Sequence, residues 1–150
     1  MFDLVIRGDN VVTPQGTGAF DVCVKGTTIA AVTRPGIVSD SQAGQIIDAA
    51  GKIVMPGGID PHIHTLWHIP PVDSDGTPGM TDGPDVVSRA ALHGGTTTLM
   101  DFAVWQAGET IEDTIARRNQ DWSGKCYADH AFHIMVQGAI PPELPPQLAE

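Results

Sequence analysis

From Gly58 onward the apolar pattern switches repeatedly between two periods, and this limits the possible folds more than any other feature of the chain. "GIDPHIH" reads as a short strand, and "GPDVVSRAALHGG" as a helix that starts near Asp85 and stops at Gly94-Gly95. "TTTLMDF" is a β-branched, apolar strand. "ETIEDTIARRNQDW" carries Ile111, Ile115 and Trp122 at helical spacing and ends before Gly124. "YADHAFHIMV" is a third strand, and "PPELPPQLAE" opens a further helix or loop. Strand, helix, strand, helix, strand predicts a parallel α/β sheet.

The rhythm before Pro56 is different. "DLVIRG" and "VVTP" flank Gly8-Asp9-Asn10, which reads as a hairpin. "FDVCVKG" alternates faces, with Val22 and Val24 opposite Cys23. "TIAAVT" follows Gly26, and Gly51-Lys52 separates "QIIDAA" from "IVMP". Short strands at this spacing predict a small antiparallel sheet or half a β-sandwich. The expected division is therefore 1–54 and 55–150.

Composition excludes several classes. With 41% hydrophobic and 17% charged residues, the chain has the makeup of a folded globular domain. No apolar run approaches the roughly 18 residues of a membrane-spanning helix, and the start lacks the order of a signal peptide, so a cytoplasmic location is expected. A net charge of −10 repels phosphate backbones and argues against nucleic-acid binding. The only cysteines, Cys23 and Cys126, lack the spacing of a thiolate zinc site or a disulfide framework.

The chemistry gathers around "MPGGIDPHIHTLWHIPP". Side chains at i and i+2 of a strand share a face, so His62 and His64 project together with Asp60. Two neutral imidazoles side by side can share one metal ion, and a nearby carboxylate can orient them. From the pair alone an ordinary pair of strand histidines is favoured. The long segment from His64 to Asp85, rich in proline and glycine, exceeds the usual length of a connection and is expected to contact substrate, with a mobile surface excursion as the alternative. Asp101, at the end of its strand, is a candidate to support the imidazoles, with a hydrogen-bonded core carboxylate as an equal alternative. Leu66 and Trp67 are candidates for lining a pocket. Trp105 could do the same or pack in the core. His133 shares a face with Asp129 and reads as a buried structural histidine. His130 reads as structural or exposed, and Arg117-Arg118 as a solvated helix face.

"DAAGKIVMPGGIDPHIH" resembles the N-terminal signature of the amidohydrolase superfamily, carried by Asp48, Ala49, Gly51, Pro56, Gly57, Ile59, Asp60, His62 and His64. "AALHGGTTTLMDF" and "CYADHAFHIMV" resemble the next two motifs, in order. Within the superfamily the likeness is to dihydropyrimidinases and hydantoinases, with G-G-I-D-P-H, G-G-T-T and Asp101-Phe102. His64 is followed by Thr65 and Leu66, so the arginine of the dihydroorotase pattern H-x-H-x-R is absent. The paired histidines also argue against the noncatalytic collapsin response mediator proteins, which have lost them.

The resemblance implies an α/β fold: the N-terminal half of a small β-sandwich followed by the first three or so βα units of an incomplete (β/α)8 TIM barrel. It implies a metal-dependent cyclic amidase acting on hydantoins, dihydropyrimidines or cyclic imides, with His62 and His64 as metal ligands. The implied cofactor is a divalent metal, two zinc ions per complete enzyme, with manganese or iron as alternatives. The ions would be bridged by a carbamylated lysine and a hydroxide, with two later histidines and a general-base aspartate. Lys25, Lys52 and Lys125 do not match the bridging lysine. A barrel of this kind takes about 250 residues and roughly 100 follow the sandwich part here, so the lysine and aspartate are expected beyond Glu150. No catalytic residue is assigned within the segment, which is expected to be inactive alone. A small-molecule cyclic amide is the expected partner, in a homo-oligomer, tetramer or dimer. Rival readings are an allantoinase-like hydrolase, a deaminase of the same superfamily, or a noncatalytic scaffold.

Overall fold

A computed structural model describes residues 1–71, 76, 78–140, 142 and 144–147. The chain forms two compact units, Met1–Pro56 and Gly57–Glu150. The first contains β1 (Phe2–Thr13), β2 (Gly16–Lys25), β3 (Thr28–Thr33), a short 3-10 turn (Asp40–Gln42), β4 (Ala43–Asp48) and β5 (Ile53–Val54). The second contains β6 (Gly58–Asp60), β7 (His68–Ile69), β8 (Gly79–Met80), α1 (Pro84–His93), β9 (Thr96–Val104), α2 (Ile111–Trp122), β10 (Asp129–Met135) and α3 (Leu144–Gln147).

The first unit is one sheet in the order β3-β2-β1-β4, with β5 also pairing with β1. It is mixed rather than antiparallel, because β4 and β5 both run parallel to β1. The connection from β3 makes this possible. Val38 of that segment is buried with Val5 and Cys23, and Arg7 on β1 donates to the Val38 carbonyl at 3.1 Å. The chain is thus held across β1 before β4 begins, and it re-enters alongside β1 instead of folding back as a hairpin.

The expected turn at Gly8-Asp9-Asn10 does not form. β1 runs through it with a register shift between Gly8 and Val11, and the reversal comes at Thr13–Gly16, with Pro14 and Gln15 in the turn. Gly8 marks the shift because a Cβ there would lie 2.9 Å from Val11 Cγ2. Both cysteines are free, and burial raises the pKa of the Cys23 thiol, with the Asp21 charge adding to it.

In the second unit β10-β9-β6 form a three-stranded parallel sheet. Pro84 opens α1 after Gly83, where its missing N–H costs nothing, and the helix closes on Gly94. Thr110 caps α2 by accepting from the Asp113 amide while the Asp113 carboxylate accepts from the Thr110 amide, a reciprocal pair that fixes the start of the helix. Central β9 alternates: Leu99, Asp101 and Ala103 are buried, and the residues between them are half-buried. The proline-rich segment after His64 is not wholly irregular, since β7 pairs antiparallel with β8. Residues 72–75 and 77 of that loop lie outside the described residues, as do 141, 143 and 148–150 of the final expected helix or loop, where α3 is seen.

β6 is shorter than the expected histidine strand and ends at Asp60. The Pro-Gly-Gly before it has a steric reason: a Cβ on Gly57 would collide with the Thr97 side chain, lying 2.7 Å from its Cβ. At Gly58 the nearest atom would be Thr96 Oγ1 at 3.3 Å. Gly57→Ala should therefore lower unfolding stability by about 1–3 kcal/mol, an overpacking cost that Gly58→Ala largely escapes. Urea unfolding of the two variants side by side checks the difference.

Candidate functional site

The segment Pro61–His64 leaves β6 without leaving its neighbour, because the Ile63 amide still donates to the Met100 carbonyl of β9 at 3.0 Å. The extended course is kept, so the side chains on either side of Ile63 point the same way. His62 Nε2 and His64 Nε2 come within 3.3 Å of each other, and both residues are exposed. Their rings meet edge to face at 5.0 Å between centroids. The Phe102 ring lies under both, 4.6 Å from His62 and 4.9 Å from His64, and it also meets His133 at 5.0 Å.

This spacing fits one shared metal ion. Two nitrogens each about 2.0–2.1 Å from a tetrahedral zinc lie about 3.3–3.4 Å apart. Among the described residues, no group of three or more His, Cys, Asp or Glu side chains is placed to hold a metal. The fit therefore rests on two imidazoles.

The other residues singled out from the sequence divide around this pair. Asp60 turns its carboxylate back, so that Oδ1 accepts from the His62 amide at 3.2 Å and steadies the backbone between strand and imidazoles. His133 Nε2 is 2.8 Å from the Pro61 carbonyl, tying β10 to the same segment. His130 stacks on Trp122 at 5.0 Å and pairs with Asn119, away from the histidine pair. Leu66 and Trp67, with His68 and Val104, line a depression of about 320 Å³, and the Trp67 ring is 4.3 Å from His64. Leu66 has φ +53°, a left-handed backbone unusual for a residue with a Cβ, and its amide bonds to the Asp82 carbonyl at 3.2 Å. Trp105 does not line that depression; its indole donates to the Glu109 carbonyl at 2.9 Å.

Asp101 is fully buried and faces away from the imidazoles. Its Oδ1 accepts from the Phe102 amide at 2.7 Å, and its Oδ2 accepts from Thr65 Oγ1 at 2.7 Å and from Arg118 Nη2. Arg118 Nη2 also reaches the Thr65 carbonyl at 2.6 Å and Oγ1 at 2.9 Å, while Nη1 pairs with Asp121 at 2.9 Å. Arg118 is thus buried, contrary to the solvated face expected for Arg117-Arg118. Leaving the Asp101 charge unpaired in the interior would cost several kcal/mol, which draws the guanidinium inward. Arg117 is half-buried and reaches from α2 to Glu109 and to the Val104 carbonyl.

The family model described as the amidohydrolase family matches residues 45–132. The chain belongs to the amidohydrolase family. Among curated proteins it is 34% identical to a D-hydantoinase of Streptomyces coelicolor, over 88% of this chain and 27% of that protein. It is also 34% identical to a dihydropyrimidinase of Rattus norvegicus, over 89% of this chain and 25% of that protein. A crystal structure of D-hydantoinase superposes with a TM-score of 0.77 at 30% identity, covering 99% of this chain and 30% of the other. The dihydropyrimidinase of Brevibacillus agri NCHU1002 gives the same TM-score at 32% identity, again over 99% and 30%. This amidohydrolase chain spans about a quarter of the length of those curated relatives.

Thr65 and Arg118 are absent from the sequence-based candidates. A signal for Arg118 exists in the row Thr114, Arg118, Trp122, spaced by four, which is the stripe α2 buries. Thr65 offers none, since nothing local marks a threonine in a turn as wholly buried.

The loop after β9 is pinned by the Arg117–Glu109 pair, with Arg117 Nε 2.8 Å from Glu109 Oε1. The hydrogen bond from Arg117 lowers the Glu109 pKa to about 2, helped by Thr114 and the Gln106 amide. A lowered pKa in the fold means the stabilisation is complete above the unfolded value of about 4.3. It is lost as pH falls from there towards 2. The melting temperatures of wild type and Glu109→Gln should differ by a constant amount from pH 7 to about pH 5. The gap should then close on acidification towards pH 2.

Proposed function

We propose that this chain is part of a metal-dependent cyclic amidase that opens the ring amide of hydantoins, dihydropyrimidines or cyclic imides. The observation that carries the reading is the 3.3 Å approach of two exposed imidazole nitrogens, His62 Nε2 and His64 Nε2, beside an apolar depression. The likeness to proteins named D-hydantoinase and dihydropyrimidinase supports the substrate class. The parallel sheet β6-β9-β10 is read as the opening of a (β/α)8 barrel, and residues 1–56 as part of a small β-sandwich.

In this reading His62 and His64 hold a divalent ion as neutral imidazoles, zinc suiting the nitrogen spacing best. Such an ion lowers the pKa of water and polarises a carbonyl, the two requirements for attacking an unactivated amide at neutral pH. The Phe102 ring beneath both imidazoles limits their rotation. Leu66, Trp67 and Val104 form the apolar wall that receives the substituent on the substrate ring. A lysine and two further histidines would complete the ligand set, and an aspartate would serve as general base. A homo-oligomer goes with the same reading.

Chelation should abolish opening of hydantoin and dihydrouracil by the protein that contains this chain, and added zinc or manganese should restore it. His62→Ala or His64→Ala should lower kcat/KM by more than about 100-fold. Residues 1–150 alone should take up at most one zinc ion weakly and open neither ring. Ring opening that survives both chelation and the substitutions would overturn the reading, and ammonia release from an intact ring would redirect it to a deaminase.

A further inference from the structure

The imidazole pair sits on a stretch with little regular structure to hold it. Beyond Asp60 no residue up to Trp67 belongs to a strand or helix. The backbone there is fixed by the Ile63 amide on Met100, the His62 amide on Asp60, the Leu66 amide on Asp82, and the Thr65 carbonyl on Arg118. The last contact differs from the others, because it comes from a helix and ends in a buried charge.

We propose that Arg118 is a positioning residue for the metal-binding histidines, acting through Thr65 and Asp101; this rests on the reading of His62 and His64 as ligands. One guanidinium nitrogen, Nη2, meets three oxygens: the Thr65 carbonyl, Thr65 Oγ1 and Asp101 Oδ2. Thr65 Oγ1 in turn donates to Asp101 Oδ2, so the hydroxyl both accepts and donates with no freedom to rotate. Thr65 and Asp101 have no exposed surface and Arg118 retains 9%, so water does not compete for these bonds.

Each end of the network is one residue from the site. Thr65 follows His64, and the bonds to its carbonyl and its hydroxyl fix the residue on which the His64 backbone ends. Asp101 precedes Phe102 and holds its amide, and the Phe102 ring lies against both imidazoles. The network therefore fixes the imidazoles from the chain that carries them and from the surface they rest on. A buried ion pair is a weak device for stability alone, since apolar residues of similar volume often do as well. Orientation is what several directed hydrogen bonds from one buried guanidinium supply and an apolar contact does not.

The test compares wild type with Thr65→Val, Thr65→Ser and Arg118→Lys in the protein that contains this chain, with Leu144→Ala as a destabilised control outside the network. Two readouts are used: nuclear Overhauser contacts among the ring protons of His62, His64 and Phe102, and cobalt(II) affinity followed by its visible absorption. Thr65→Val should lose the ring contacts and weaken cobalt binding by about 10-fold or more, with Thr65→Ser restoring both. Arg118→Lys, which keeps the charge but not the planar guanidinium that spans Thr65, Asp101 and Asp121, should behave as Thr65→Val, and Leu144→Ala should retain the wild-type contacts. Should Arg118→Lys fail to fold, the Thr65 pair decides alone. Retained ring contacts with cobalt affinity within twofold of wild type in folded Thr65→Val would overturn the proposal. If no form binds cobalt, the metal reading fails, and the ring contacts by themselves uphold or overturn the positioning role.

Discussion

Asp101 carries its carboxylate into a place water does not reach, and much of the second unit is arranged to make that tolerable. An isolated buried charge is costly enough to undo a domain whose net stability is about 5–15 kcal/mol. Arg118 answers it from α2, Thr65 from the turn after the histidines, and the Phe102 amide from the strand itself. These three contacts set the rotation of α2 about its axis, the exit of the chain from β6 and the local course of β9.

The alternation of β9 separates two tasks that a small sheet must combine. Its odd-numbered residues from Leu99 to Ala103 are buried. Phe102, between them, faces the imidazoles. Because neighbouring strand residues point to opposite faces, a change in the core is felt one residue away on the histidine side. The polar network uses that adjacency, with Asp101 and Phe102 as its two faces.

The order of elements after Gly58 could be read from the pattern of apolar residues and glycines, and α1, β9, α2 and β10 stand where the two periods placed them. The errors have a common cause. Gly8-Asp9-Asn10 has the composition of a turn, yet pairing on both sides of β1 keeps the chain extended and turns the glycine into a bulge. Ile111 and Ile115 look like the buried row of α2, but Ile115 is 39% exposed and the row is Thr114, Arg118, Trp122. Local hydrophobicity was outweighed there by a charge 17 residues earlier in the chain, which no helical periodicity reports. The convergence of His62 and His64 was legible because spacing of two survives the early end of the strand, the Ile63 amide keeping the segment extended. The involvement of Thr65 was not, since it depends on Asp101 and Arg118, both distant in sequence.

The short pairing of His68–Ile69 with Gly79–Met80 has a consequence for how such a chain can diversify. Its hydrogen bonds, with those of Trp67 to Thr81, bring the two ends of the excursion together beside the depression. Adding or removing residues between the ends then changes closure entropy only slowly, by roughly 0.6 kcal/mol for each doubling of length. The histidine segment is held independently of that closure by the Ile63 amide on Met100 and by Arg118 on Thr65, while the Trp67 ring keeps the paired ends in contact with His64. Chain length between the paired ends is therefore a variable that the pairing itself does not constrain.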